Sequence, residues 1–198
     1  MSETISLTPS GHWGNSIDNI KILDNFIEPE ELTLIKNFVT SINTFMSIPG
    51  DPWDNRVCST DMVSKLNPSI HSLLLNKYMK KLQGEIEKWF KVELSMRYPN
   101  LVVWRVGNGQ APHADKETPD GVPNMYPEND IASLIYINDN YEGGEIYFPN
   151  QNIAIKPKEG QAIFFPGDKE YLHGVTTITA GERFTSPAFW QVKKIIGE

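Results

Sequence analysis

Apolar residues recur at three- and four-residue spacing in the first half of the chain and in short runs in the second. Leu32, Ile35, Phe38 and Val39 share one face of a helix predicted over 29–41, and Pro29, Glu30 and Glu31 mark its first turn. A second helix is predicted from Asn67-Pro68 to about Phe90. Its apolar stripe is Ile70, Leu73, Leu74, Tyr78, Leu82, Ile86, Trp89 and Phe90. Residues 20–26 read as a short strand, and residues 49–54 as a turn-rich connector. From Leu94 the pattern changes. Residues 101–106, 131–137, 145–148, 152–156, 162–165, 174–177 and 184–192 are short strand candidates, most bounded by Gly, Pro, Asn or Asp. Short strands at this spacing predict a sandwich or barrel. The longest irregular stretch is 116–130, which carries Pro119, Gly121, Pro123 and Pro127; loops of that length are often functional lids.

Composition narrows the function classes. The 198 residues suit one folded unit, and 39% hydrophobic with 22% charged residues is a globular balance. The net charge of −7 disfavours nucleic acid or an anionic membrane as partner. The single Cys58 excludes an intramolecular disulfide framework and reads as a passive thiol. No run approaches the roughly 20 apolar residues of a membrane span, and residues 1–14 lack the apolar stretch of a signal peptide. A soluble, cytoplasmic protein is the expectation. Only four histidines are present: His12, His71, His113 and His173.

Two of them fall in a chemical pattern. In His113-Ala114-Asp115, an extended backbone points residues i and i+2 to one face, so imidazole and carboxylate project together. His173 follows 58 residues later. Two histidines and one carboxylate with open positions form the facial triad that suits non-haem Fe(II). Arg183 lies ten residues beyond His173, and a strand would put Thr185 on the same face. A guanidinium and a hydroxyl together can hold a carboxylate. His12 and His71 read as surface residues.

The ordered set H-x-D, distal His and a basic residue ten further on resembles the Fe(II)/2-oxoglutarate-dependent dioxygenases, most closely their prolyl 4-hydroxylase branch. Supporting pieces are Gly107-Asn108-Gly109 ahead of His113, Tyr136-Ile137-Asn138, Gly143-Gly144-Glu145, and Phe165-Pro166 ahead of His173-Gly174-Val175. The resemblance covers roughly residues 20–192. It implies an α+β, mainly β fold: a double-stranded β-helix (jelly-roll) with N-terminal helices packed on it. The expected division is an N-terminal tail over 1–19, helical support over 20–93 and a catalytic core over 94–192, all within one domain.

Carried over, the resemblance makes His113, Asp115 and His173 the ligands of Fe(II). Arg183 would pair with the distal carboxylate of 2-oxoglutarate, supported by Thr185. Oxygen is the second co-substrate, and ascorbate is admitted as an auxiliary. The family's tyrosine nine residues before the first ligand is here Trp104, so the indole either packs the pocket or leaves its task to another group such as Tyr136. The dry pocket would be lined by Trp104, Ile135 and Phe165. Arg56 lies where relatives carry a substrate-covering loop. Phe189 and Trp190 fall near the family's substrate-side aromatic; strict alternation from Arg183 turns Phe189 inward and Trp190 outward unless a bulge at Pro187 reverses them. The implied reaction is hydroxylation of an unactivated C–H of a peptidyl proline, with release of succinate and CO₂. The alternatives are a free amino acid or other small molecule as substrate, a non-catalytic jelly-roll binding protein, and a zinc hydrolase, which leaves Arg183 unexplained. Oligomeric state is not legible.

Overall fold

The computed structural model of the chain describes residues 6–196. In chain order its strands are β1 (Lys21–Leu23), β2 (Val57–Ser59), β3 (Val92–Arg97), β4 (Asn100–Trp104), β5 (Gln110–His113), β6 (Ile131–Tyr136), β7 (Ile146–Phe148), β8 (Ile153–Ile155), β9 (Ala162–Pro166), β10 (His173–Val175) and β11 (Arg183–Ile195). The larger antiparallel sheet runs β1-β9-β6-β11-β4-β2, with β3 paired to the far half of β11. The smaller sheet runs β5-β10-β7-β8. Two facing antiparallel sheets with helices on one outer side make the mainly β jelly-roll that the strand pattern and the resemblance imply.

Strand alternation sorts the side chains into two layers. From β6, Ile131 and Ile135 face the helices, whereas Ala132 and Tyr136 face the smaller sheet. From β9, Ala162 and Phe164 face the helices, and Ile163 and Phe165 face inward. Ile135 is therefore part of the helix-side core, not of a pocket lining. Helices α1 (Pro29–Ser41), α2 (Thr60–Leu66), α3 (Pro68–Ser72) and α4 (Lys80–Phe90) complete that outer core.

The helix predicted over 67–90 is interrupted by a π-helical stretch, Leu73–Met79. The wider turn changes the phase of the stripe. Tyr78 and Met79 are both fully buried, and Trp89 lies 41% exposed under the Lys21 ammonium. Strands β2 and β3 and helix α2 escape the periodicity reading. The first is three residues long and the last seven, too short to display a period. The N-terminal residues, expected as a tail, pack on the fold from Ser6 onward: Trp13 meets the Phe90 ring at 4.6 Å, and Gly11 N–H donates to Asp168.

Strand β11 carries the site on one face and the core on the other. Its pairing with β6 runs without a register break from Thr185 to Trp190. Pro187, which has no N–H, falls in the gap between the β4 and β3 pairings on the other edge. The alternation survives it. Arg183, Thr185 and Phe189 point one way. Phe184, Ala188, Trp190 and Val192 join the helix-side core. Trp190 is fully buried there, and its Nε1 donates to Ser133 Oγ at 2.8 Å. Placing Trp190 near substrate is corrected: it is a core residue. Trp190→Phe should cost about 1–3 kcal/mol, from the lost bond and the void. A lower urea midpoint with unchanged affinity for 2-oxoglutarate is the expected result.

Candidate active site

His113 and His173 are register partners across β5 and β10 of the smaller sheet. Their ring centroids lie 4.4 Å apart. Asp115 is not on the strand, since β5 ends at His113. Its carboxylate is brought in by a turn whose N–H groups at Asp115 and Lys116 both donate to Gly167 O, just past β9. Gly167 is required there, because a Cβ would lie 2.1 Å from Asn129 O. Asp115 Oδ1 is 3.7 Å from His113 Nε2, and Oδ2 is 3.6 Å from His173 Nε2. One ligand atom from each of the three residues lies within 4.8 Å of the others.

Both imidazoles are oriented alike. Each Nδ1 lies 3.1 Å from the carbonyl two residues upstream, Ala111 O for His113 and Tyr171 O for His173. Donation there leaves Nε2 as the lone-pair atom facing Asp115, the orientation a metal-binding histidine takes. The Gln110 amide, 3.2 Å from His113 Nε2, fits the same tautomer as a donor. Burial holds the His173 pKa below its ordinary value, so the ring stays neutral and able to coordinate. Phe165 and Phe148 wall His173 at 4.6 and 5.9 Å. His12 and His71 lie outside this cluster.

Arg183 lies at the start of β11, opposite Trp104 of β4. It is fully buried, pairs with no carboxylate among the described residues, and makes one side-chain bond, from Nη2 to Tyr136 Oη at 3.3 Å. Its guanidinium carbon lies 5.0 Å from the Trp104 ring and 5.1 Å from that of Tyr136. Among the described residues, eleven buried side-chain polar atoms lack a partner. Seven belong to Arg56, Trp104, Asp115, Tyr141, Arg183 and Thr185. Buried polar atoms are ordinarily bonded, so such a concentration marks where a polar ligand sits.

Arg56 is buried. The segment after it is strand β2, paired with β4. The guanidinium lies 4.6 Å from the Trp53 ring and 4.2 Å from that of Trp104, and Nη1 donates to Pro52 O. Burial, with Arg183 and Arg105 adding, lowers its pKa to about 10, so it remains a cation. Phe189 is half-buried on the inner face.

Sequence reasoning missed Trp53, Tyr141 and the network under Asp115. Lys116 Nζ is buried and bonds Asp130 Oδ1 at 2.7 Å, Thr8 O at 2.6 Å and Ser6 Oγ at 3.0 Å. Asp130 Oδ2 accepts from Val192 N, on β11. Asn124 Nδ2 donates to Asp115 O. These partners lie up to 110 residues apart, and no local pattern announces them.

The family model described as the 2OG-Fe(II) oxygenase superfamily matches residues 100–191, which include the triad and Arg183. The match spans 92 of the 198 residues, just under half of the chain. It is 38% identical over 73 residues to prolyl 3-hydroxylase 2 of Rattus norvegicus, an alignment covering 34% of this chain and 10% of that protein. The chain thus spans about a tenth of the length of the curated relatives it matches. A viral collagen prolyl hydroxylase from Paramecium Bursaria Chlorella virus-1, solved with 2OG, superposes with TM-score 0.57 at 18% identity, covering 89% of this chain and 97% of that one. A prolyl hydroxylase from Trichoplax adhaerens, solved with a hypoxia inducible factor peptide, gives 0.61 at 15% identity, covering 91% and 86%. These two likenesses carry the fold.

The residues present fit the family's metal and co-substrate. Two imidazoles and a carboxylate are a donor set for Fe(II). Asp115 Oδ2 is buried without a hydrogen bond, and Arg183 is a buried cation without an anion. The buried Lys116–Asp130 pair holds the backbone that presents Asp115. Removing one partner strands the other charge, so Asp130→Ala should cost about 3–5 kcal/mol, read by chemical denaturation. Weakened Mn(II) binding under conditions where the variant is folded should accompany it.

Proposed function

We propose that the protein is an Fe(II)- and 2-oxoglutarate-dependent dioxygenase that hydroxylates a prolyl residue of a peptide or protein, releasing succinate and CO₂. The observation that carries this reading is the His113–Asp115–His173 cluster together with a buried, anion-less Arg183, joined by the inner layer of Tyr136, Phe148 and Phe165. A non-catalytic binding protein has no use for two imidazoles trained on one carboxylate. A hydrolase has none for the buried guanidinium.

In this reading His113, Asp115 and His173 hold the metal on one face. Bound iron supplies activation of O₂ and oxidation of the 2-oxo acid. The chain's own residues do the rest. Arg183 and Thr185 hold the distal carboxylate and so orient the 2-oxo end toward the histidines. Trp104 Nε1 and the Tyr136 hydroxyl are further donors in the same space, and burial keeps the Tyr136 pKa raised and the phenol protonated. Phe148 and Phe165 exclude water from the reacting face. His113, a third exposed at its side chain, marks the open side where substrate approaches. Phe189 lies on the inner face as a substrate contact, and Arg56 acts by bracing Trp104. The peptidyl-proline substrate is supported by the similarity to prolyl hydroxylases. Residues 94–192 form the catalytic core, supported by the segments before them.

Anaerobic Fe(II) with 2-oxoglutarate should give a weak visible charge-transfer band, and proline-containing peptides should gain one oxygen by mass spectrometry. His113→Ala and Asp115→Ala should abolish both. Arg183→Ala should raise the 2-oxoglutarate requirement about tenfold to hundredfold by removing a charged hydrogen-bond partner. Full turnover by His113→Ala defeats the iron assignment.

A further inference from the structure

The chamber around Arg183 contains a hydroxyl with no role so far. We propose that the Tyr141 hydroxyl binds the distal carboxylate of the co-substrate beside Arg183. This rests on the oxygenase reading and adds a residue to it.

Tyr141 follows β6 in the Asn138–Gly144 turn, far in sequence from Trp104 and Arg183. The fold brings all three together. Tyr141 packs in one cluster with Trp104, Val175 and Ile178. A Cβ at Gly144 would lie 3.0 Å from Tyr141 Cε2 and 3.2 Å from Arg183 Cδ, so the phenol ring and the arginine stem flank the same glycine. The Gly144 φ of +69° is one that side chains rarely adopt, which keeps that space clear. From outside, Lys156 lies 4.2 Å from the Tyr141 ring centroid and donates to Tyr141 O and Gly143 O, which fixes the turn.

The residue is 6% exposed and its hydroxyl is buried without a partner. Burial pushes its pKa up to about 12, so at neutral pH it carries a proton to donate. Of the seven unpartnered polar atoms described above, Arg183 Nε and Nη1, Arg56 Nη2, Thr185 Oγ1, Trp104 Nε1 and Tyr141 Oη can all donate, and the one pure acceptor, Asp115 Oδ2, belongs to the histidine cluster. A carboxylate accepts at about four lone-pair sites and donates at none. The inner end of the chamber is thus built for a carboxylate, and Tyr141 is one wall of it.

Tyr141→Phe isolates the hydroxyl while keeping the ring. The anaerobic Fe(II) protein is titrated with 2-oxoglutarate and, separately, with 2-oxobutyrate, which keeps the chelating 2-oxo acid end and lacks the distal carboxylate. The visible band reports binding. Expected is a loss of about tenfold or more in affinity for 2-oxoglutarate, with 2-oxobutyrate unaffected. The ligand-free variant should melt at or above the wild-type temperature, because an unbonded buried hydroxyl stabilises nothing. Unchanged 2-oxoglutarate affinity, or an equal loss for both acids, overturns the proposal. A variant that melts well below wild type also overturns it, by giving the hydroxyl a structural role. No band in the wild-type protein overturns the oxygenase reading itself, and the proposal with it.

Discussion

A guanidinium buried without an anion is the constraint on which the architecture turns. Taking Arg183 out of water is costly, and the chain offers it one phenol oxygen and two aromatic faces in return. That arrangement is tolerable in a site whose ligand brings the missing charge. The remaining features serve the same end. The sheets are paired so that β11 delivers Arg183 and Thr185 inward, and β10 and β5 set the two histidines opposite each other. The aromatic walls lower the local polarity and so strengthen every interaction between the ligand and these groups.

The first ligand pair shows how local sequence and tertiary structure divide the work. His113 is fixed by β5, but Asp115 is fixed by groups from elsewhere: Gly167 after β9, Asn124 in the following loop, and the Lys116–Asp130 pair tied to Ser6 and Thr8. The loop of residues 116–130 is held at its base by these bonds. Thr118 N–H also donates to Val122 O, and the exposed large apolar side chains of the loop are Val122, Met125 and Tyr126.

Much of this was legible in the sequence, where a short-range pattern had a physical cause. Pro29 with its acids gives α1 to the residue, and alternation from Arg183 gives the facing of Phe189. The same alternation sends Trp190 to the helix layer, and no bulge at Pro187 reverses it. Ile135 was misplaced by hydrophobicity alone; its odd-numbered phase with Ile131 decides its side. What stayed hidden depends on long-range packing. The packing of Arg56 on Trp104, the lysine behind Asp115 and the inward phenol of Tyr141 join residues far apart in the chain, 110 positions for Lys116 and Ser6, which leave no periodic trace.

The double-faced β11 has a further consequence. Its inner face carries the groups that would hold a ligand, and its outer face anchors the helix layer through Phe184, Ala188, Trp190 and Val192. One backbone ladder serves both. Anything that binds the folded inner face draws the folding equilibrium of the whole chain with it. In a cell, a few kilocalories of such coupling change how often a protein is exposed to proteases. The steady-state amount of this chain would then track the supply of its small dianionic partner, and scarcity would be felt as shorter lifetime as well as slower turnover.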